Sequence, residues 1–294
     1  MKRGKIAVFI PAYNEERAIG SVVLLAREYG TVHVVDDGSD DRTAEIARKA
    51  GAGVIAHKRN MGYGAAMKSA LAAARKMDAA AFVFMDADGQ HDAREIPMVA
   101  SPVLGGRADF CQGSRFLGKF ISAPVGRREG VAFINKLTNA HNGRREVDAQ
   151  CGFRAVSKSA LGKIRVDADG YSGCAEMALS AQQAGLRVVE APVHVRYFPG
   201  GNNPFQQGAG LVDYVAGQMI RKNPLALFAG VGAVLLALSA LLGAFVLDTF
   251  YTRHELATGS AFLTVFFGIA GMIMVLMGLN LYTLKKVLEK GGNP

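Results

Sequence analysis

The chain has 294 residues, half of them apolar and a fifth charged, with a net charge of +9 from 34 basic and 25 acidic side chains. That balance excludes an intrinsically disordered chain. It also argues against a nucleic-acid-binding protein, because no Lys/Arg block is interleaved with aromatics and no zinc-finger spacing occurs. Three cysteines without a CxxC pair and six histidines without an HxH or HExxH pattern fit unpaired thiols in a reducing compartment and argue against a Cys/His zinc site.

Met1-Lys2-Arg3-Gly4 leads straight into an apolar strand, Ile6–Pro11, with no signal-peptide pattern. Glu15–Tyr29 has helical spacing, with Ile19, Val22, Val23 and Ala26 on one face. Thr31–Asp36 reads as the next strand, and Asp40 or Asp41 as the cap of a helix running to Ala50. Val54–His57 is a third strand, Gly64–Met77 a third helix and Ala80–Asp86 a fourth strand. Strands alternating with helices predict βαβ units on a mainly parallel sheet, with ligands at the C-terminal ends of the strands. Beyond Asp92 the pattern is less regular: a strand at Ala108–Gln112, a basic loop at Gly113–Glu129, a helix at Val131–Ala140, a strand at Arg187–Tyr197, a loop at Phe198–Pro204 and an amphipathic helix at Gln206–Lys222.

Near the C-terminus, Leu225–Leu247 and Gly259–Leu281 are each free of charge. At ~1.5 Å per residue each is long enough to cross a hydrocarbon core of about 30 Å. The chain's mean hydropathy of +0.16 therefore averages two unlike parts. Arg221 and Lys222 flank the first span and Lys285, Lys286 and Lys290 the second, whereas the connecting loop holds only Arg253. The positive-inside rule then predicts a cell-membrane protein of two spans, with both termini and the soluble part cytoplasmic. The expected organisation is a catalytic domain at 1–205, a juxtamembrane helix at 206–224 and a transmembrane hairpin at 225–294, with spans at about 225–247 and 259–281. Residues 1–224 carry +8 of the net charge, which suits an anionic lipid surface or phosphorylated substrates.

The polar clusters fall where the strands end. Asp86-Ala87-Asp88, with Gln90 and His91 close behind, offers two carboxylates and a neutral oxygen to one divalent cation, Mg²⁺ or Mn²⁺. A cation held there neutralises a departing diphosphate. Asp36-Asp37-Gly38-Ser39 offers carboxylates to ribose hydroxyls or base N–H groups, or else a tight turn and a helix cap. Asn60-Met61-Gly62-Tyr63-Gly64 opens a helix with glycines that admit a phosphate or sugar close to the backbone.

Together with Pro11-Ala12-Tyr13-Asn14-Glu15, Gly113-Ser114-Arg115 and Gln150-Cys151-Gly152-Phe153-Arg154, these motifs stand in the order seen in family 2 glycosyltransferases. Over roughly residues 5–200 the chain resembles the polyprenyl-phosphate group, such as dolichyl-phosphate mannose synthase and its glucose-transferring relatives. The resemblance implies an α/β, GT-A (Rossmann-like, mainly parallel) catalytic domain followed by the two-helix hairpin. It also implies an inverting, metal-dependent transfer of a hexose from a nucleotide sugar of the GDP-mannose or UDP-glucose type to polyprenyl or dolichyl phosphate.

By the same resemblance, Pro11, Tyr13 and Glu15 line the nucleotide pocket and Asp37 lies near the base or ribose. Asp86, Asp88 and Gln90 hold the metal. Arg115 and one of Arg127 or Arg128 grip the lipid phosphate, Asp148 and Gln150 lie beside the sugar and acceptor, and Arg196 belongs to a segment that closes over the donor. Asp88, Arg115 and Asp148 are the expected catalytic residues. Self-association is left open. The alternative is a related transferase acting on a lipid or glycan hydroxyl, with Asp148 as the base such an acceptor needs.

Overall fold

The computed structural model describes residues 6–121, 132, 148, 151–166, 173–196 and 224–291. The chain divides into two compact units, Met1–Val212 and Asp213–Pro294.

The first unit is built on a seven-stranded sheet of order β3-β2-β1-β4-β6-β5-β7. Its strands are β1 (Ile6–Ala12), β2 (Thr31–Asp36), β3 (Gly53–Ala56), β4 (Ala81–Phe84), β5 (Phe110–Ile121), β6 (Arg154–Ser157) and β7 (Val188–Arg196). Strands β1 to β4 run parallel, β6 is antiparallel to both β4 and β5, and β5 pairs in parallel with β7. The helices are α1 (Ile19–Ala26), α2 (Thr43–Lys49), α3 (Tyr63–Arg75), α4 (Ile96–Leu104), α5 (Lys158–Leu161) and α6 (Gly173–Gln183).

Every residue of β1 is buried, as a strand covered on both faces requires. Ile6, Val8 and Ile10 pack with Ile19, Val22 and Val23 of α1 and with Val99 and Val103 of α4. Ala7 and Phe9 face the other way, towards Met67, Ala70 and Leu71 of α3 and Met177 of α6. The period of two along the strand thus supplies both layers of the core. The parallel strands converge at Ala12, Asp36 and Phe84, which fixes where the polar loops gather.

Two expectations are corrected. The first helix begins at Ile19, not at Glu15, because residues 13–18 form a loop bonded to the segment after β2. The basic segment from Gly113 is not loop throughout: β5 continues to Ile121, pairing with β7 across an irregularity between Ser114 and Lys119. Helices α4 and α6 and strand β6 had no clear periodic signature. The strand β6 begins at Arg154, inside a motif read only for its chemistry. The helix expected at 131–140 (apart from the helical Ala132), the loop at 198–204 and the helix at 206–222 lie outside the described residues.

The described residues of the second unit include α7 (Pro224–Arg253) and α8 (Thr258–Gly291), which contain both charge-free runs. Both helices are long and apolar enough to cross a membrane. They pack antiparallel through small residues. A Cβ added to Gly232 would lie 2.8 Å from the Gly271 carbonyl oxygen and 2.7 Å from Val275 Cγ2, and one added to Gly278 would lie 3.0 Å from Phe228 Cβ. Ser239 Oγ donates to the Thr264 carbonyl at 2.8 Å between the helices. Close approach through glycine and one hydroxyl bond is how helices associate where no hydrophobic effect drives them. Large apolar side chains such as Leu241 and Phe262 face outward, 70% and 74% exposed, as lipid-facing residues do.

Candidate active site

The loops after β1 and β2 are bonded to each other. Asn14 N–H donates to Ser39 Oγ at 2.9 Å, Asp40 N–H to Asn14 Oδ1 at 2.9 Å, Glu15 N–H to Thr43 Oγ1 at 2.8 Å and Glu16 N–H to Asp41 Oδ2 at 3.1 Å. Asp41 Oδ1 also accepts from Thr43 N–H at 2.9 Å in the turn before α2, but the N-cap residue of that helix is Arg42, without a capping side-chain bond, so neither Asp40 nor Asp41 is the expected cap. Asn14 adopts a positive φ of 55°, a conformation asparagine tolerates better than most residues. These bonds hold Tyr13, which is 41% exposed, and Glu15 at the C-terminal edge of the sheet.

Asp37 is buried and its carboxylate is engaged. Oδ1 lies 2.7 Å from His57 Nδ1 and accepts Met61 N–H at 3.1 Å, and Oδ2 accepts Gly62 N–H at 2.7 Å. His57 Nε2 lies 2.8 Å from Ser69 Oγ. A carboxylate at Nδ1 makes that nitrogen a donor, so the ring links Asp37 to Ser69. Gly62 has a φ of 94°, and a Cβ on Gly38 would lie 2.3 Å from the Arg59 carbonyl carbon. Gly62 is therefore required by backbone geometry, and Gly38, with a φ of 71°, by backbone geometry and by space. The structure thus gives Asp37 a loop-holding role beside its expected place near the nucleotide.

Asp86 and Asp88 follow β4. Tyr63 donates its hydroxyl to Asp86 Oδ1 at 3.0 Å. Gly152 faces the same carboxylate so closely that a Cβ there would lie 2.2 Å from Oδ2 and 2.4 Å from Oδ1. His91 Nε2 is 3.7 Å from Asp86 Oδ2 and 3.9 Å from Cys151 Sγ. Asp88 Oδ1 accepts the Gln90 N–H at 2.9 Å. The Glu15 carboxyl is pushed up to about 7, first by burial and then by the charges of Asp88, Asp86 and Asp41. The three motifs therefore converge on one electronegative edge. Burial drives His91 towards its neutral form, and it holds the thiols of Cys151 and Cys111 protonated, Cys111 up to about 12. Neither thiol is a nucleophile.

Arg115 and Asp148 meet. Arg115 donates from its backbone N–H at 2.9 Å and from Nε and Nη2 at 2.6 Å each to the Asp148 carboxylate, which is fully buried. Buried Arg154 donates from Nε to the Cys151 carbonyl at 2.9 Å. At the end of β7, Arg196 N–H donates to the Gln90 carbonyl at 2.9 Å, joining that strand to the loop that follows Asp88. Arg127, Arg128 and Gln150 lie outside the described residues. Sequence reasoning passed over Tyr63, His57 and Thr43. Tyr63 stood in plain view as a spacer between Gly62 and Gly64, in a motif read for its glycines alone.

Residues 7–165 match the family model described as glycosyl transferase family 2. The chain belongs to glycosyl transferase family 2. Two curated archaeal relatives are similar to it. One, from Methanococcus voltae, is named UDP-N-acetylglucosamine–dolichyl-phosphate N-acetylglucosaminyltransferase and is 31% identical over 215 residues, covering 65% of this chain and 86% of the relative. The other, from Haloferax volcanii, is named dolichyl-phosphate hexose transferase and is 32% identical over 212 residues, covering 70% and 90%. Among solved structures, glucosyl-3-phosphoglycerate synthase from Mycobacterium tuberculosis in complex with Mn²⁺, UDP-glucose and phosphoglyceric acid superposes with a TM-score of 0.59. It is 23% identical and covers 74% of this chain and 79% of that one, a likeness that shows a shared fold. The family 2 catalytic unit is thus GT-A, an α/β domain on a mainly parallel sheet, and this chain joins it to two apolar helices.

Proposed function

We propose that this family 2 enzyme is membrane-bound and moves a hexose from a nucleotide sugar to polyprenyl phosphate, with inversion at the anomeric carbon. The observation that carries the reading is the electronegative edge of Glu15, Asp86 and Asp88 at the C-terminal ends of the strands, in a chain with two apolar spans. The names of the archaeal relatives support a lipid-phosphate acceptor.

The donor set fits Mg²⁺ or Mn²⁺. Among the described residues no three His, Cys, Asp or Glu side chains form a cage for a metal. Two neighbouring carboxylates with Gln90 are instead the arrangement for a cation completed by water and a substrate diphosphate. A bound cation would supply charge neutralisation for the departing nucleoside diphosphate. Asp86, Asp88 and Gln90 would hold it, Pro11, Tyr13 and Glu15 would line the donor pocket, and Asp37 orders the glycine loop through the N–H groups of Met61 and Gly62.

The acceptor needs placement more than activation. A phosphate monoester carries about −1.5 to −2 charges near neutral pH and is itself the nucleophile. Arg115 with Arg127 or Arg128 would bind it. Asp148 accepts three hydrogen bonds from Arg115, so its carboxylate is committed to that pair rather than turned towards an acceptor hydroxyl. That pairing favours the phosphate acceptor over a hydroxyl. Residues 1–205 are the proposed catalytic domain, 206–224 a juxtamembrane helix and 225–294 the hairpin, with both termini on the cytoplasmic side.

One assay tests the reading. Purified full-length protein is incubated with Mn²⁺ or Mg²⁺, polyprenyl phosphate and labelled GDP-mannose, UDP-glucose or UDP-N-acetylglucosamine. Label entering an organic-extractable product is the expected result. Label that never does so with any donor removes the proposal. Asp88→Ala should lose turnover while staying folded.

A further inference from the structure

Tyr63 is placed with more care than a spacer between glycines needs. It opens α3 immediately after Gly62, whose N–H is held by Asp37 Oδ2 at 2.7 Å. Asp37 is braced by His57, and His57 by Ser69 farther along the same helix. The far end of α3 is fixed as well, where Arg75 donates to the Leu161 carbonyl at 3.0 Å and the Ile164 carbonyl at 2.7 Å. The Tyr63 ring packs against the α3-side core, and its hydroxyl reaches Asp86 Oδ1 at 3.0 Å. The bare Cα of Gly152 also stands against that carboxylate.

Asp86 needs such support. It shares its surroundings with Glu15 and Asp88, so electrostatic repulsion favours rotating its carboxylate away from the others. One donor at Oδ1 and a close backbone wall oppose that rotation.

We propose that Tyr63 is a positioning residue, whose hydroxyl holds the Asp86 carboxylate in the orientation that receives the divalent cation. The proposal rests on the metal reading of Asp86 and Asp88 above. It assigns Tyr63 no contact with the substrate and no proton transfer. Its role is that of the outer hydrogen-bond partners that orient metal ligands, whose loss costs about 10–100-fold in metal affinity or activity.

The test uses full-length protein in detergent with UDP or GDP present, and free Mn²⁺ is followed by electron paramagnetic resonance during titration. Tyr63→Phe keeps the ring and removes the donor. It should bind Mn²⁺ about 10-fold more weakly, with an unchanged melting temperature. Its KM for Mn²⁺ should rise by a similar factor while kcat at saturating Mn²⁺ stays near the parent value. A Mn²⁺ affinity within about twofold of the parent overturns the proposal. Should the Tyr63→Phe protein fail to fold, Tyr63→His keeps an aromatic ring with a shorter reach. A loss of at least about threefold is then expected, and none overturns the proposal. A parent that binds Mn²⁺ through Asp88 but glycosylates no lipid phosphate sinks the proposed acceptor and leaves the role of Tyr63 standing. A parent that binds neither Mn²⁺ nor Mg²⁺ with either nucleotide overturns the role of Tyr63.

Discussion

The Arg115 guanidinium holds the Asp148 carboxylate at two points, Nε and Nη2, each at 2.6 Å, and the pair is almost wholly out of solvent. Removing one partner strands a buried charge, which typically costs about 3–5 kcal/mol. Asp148→Ala should therefore destabilise the catalytic unit by roughly that much, while Asp148→Leu combined with Arg115→Met should recover much of the loss. Chemical unfolding of the four proteins in a double-mutant cycle measures the coupling. If the apolar pair restores stability but not the use of lipid phosphate, Arg115 has the acceptor role proposed for it.

Gly152 meets Asp86 with no side chain between them. Gly152→Ala would place a Cβ about 2.2 Å from Oδ2, so the carboxylate must move. A displacement of this kind can cost about 100-fold in rate, and at least that loss is expected, with Mn²⁺ binding weakened in parallel. Steady-state kinetics beside a melting curve checks it. Full activity would show that Asp86 tolerates another orientation.

Glu15 gives a pH signature. Its carboxyl titrates at about 7 in the folded protein, against 4.5 as the ordinary value. The folded state therefore holds a proton that the unfolded chain has released between about pH 4.5 and 7, and this group lowers stability as pH rises through that window. Glu15→Gln should raise the Tm above pH 7 in the absence of divalent cations and leave it nearly unchanged near pH 4.5. A difference of equal size at both pH values would contradict this. The gain comes first from removing a buried charge and then from relieving its repulsion by Asp88 and Asp86, and added Mn²⁺ should shrink the second part.

The hairpin predicts a cross-link. A Cβ on Gly268 would lie 3.1 Å from Ser239 Oγ. Ser239→Cys with Gly268→Cys should form a disulfide under mild oxidation, read as a mobility shift after cleavage between the helices. Adding Gly232→Leu, which clashes with the backbone of Gly271, should abolish it. A cross-link that survives would place the helix contact elsewhere.

The first four strands and three helices were legible because each apolar run is continuous or periodic, and all but the third strand stop at Pro, Gly or Asp. The two C-terminal helices were legible from long apolar runs free of charge. Beyond β4 the signal fades for physical reasons. Strand β6 is four residues long and opens with a buried arginine. Strand β5 includes Gly113, Ser114, Arg115 and Gly118, whose composition suits a loop, and beyond Gln112 it is pairing with β7 that makes it a strand. In the site, Asp86 and Asp88 could be read from their spacing. The commitment of Asp37 to Gly62, of Arg115 to Asp148 and of Tyr63 to Asp86 could not, since each joins residues at least 23 positions apart. The residue types announced the chemistry, but tertiary contacts decided who partners whom.

Helix α3 has one end at Asp86 and the other under the Arg75 clamp, twelve residues and about 18 Å away. A helix pinned at both ends behaves as a strut. Damage at its outer end is not absorbed locally but displaces the tip. Natural variation at Arg75, or at the Leu161–Ile164 segment it grips, is therefore expected to surface as an altered appetite for metal at a catalytic edge it never touches.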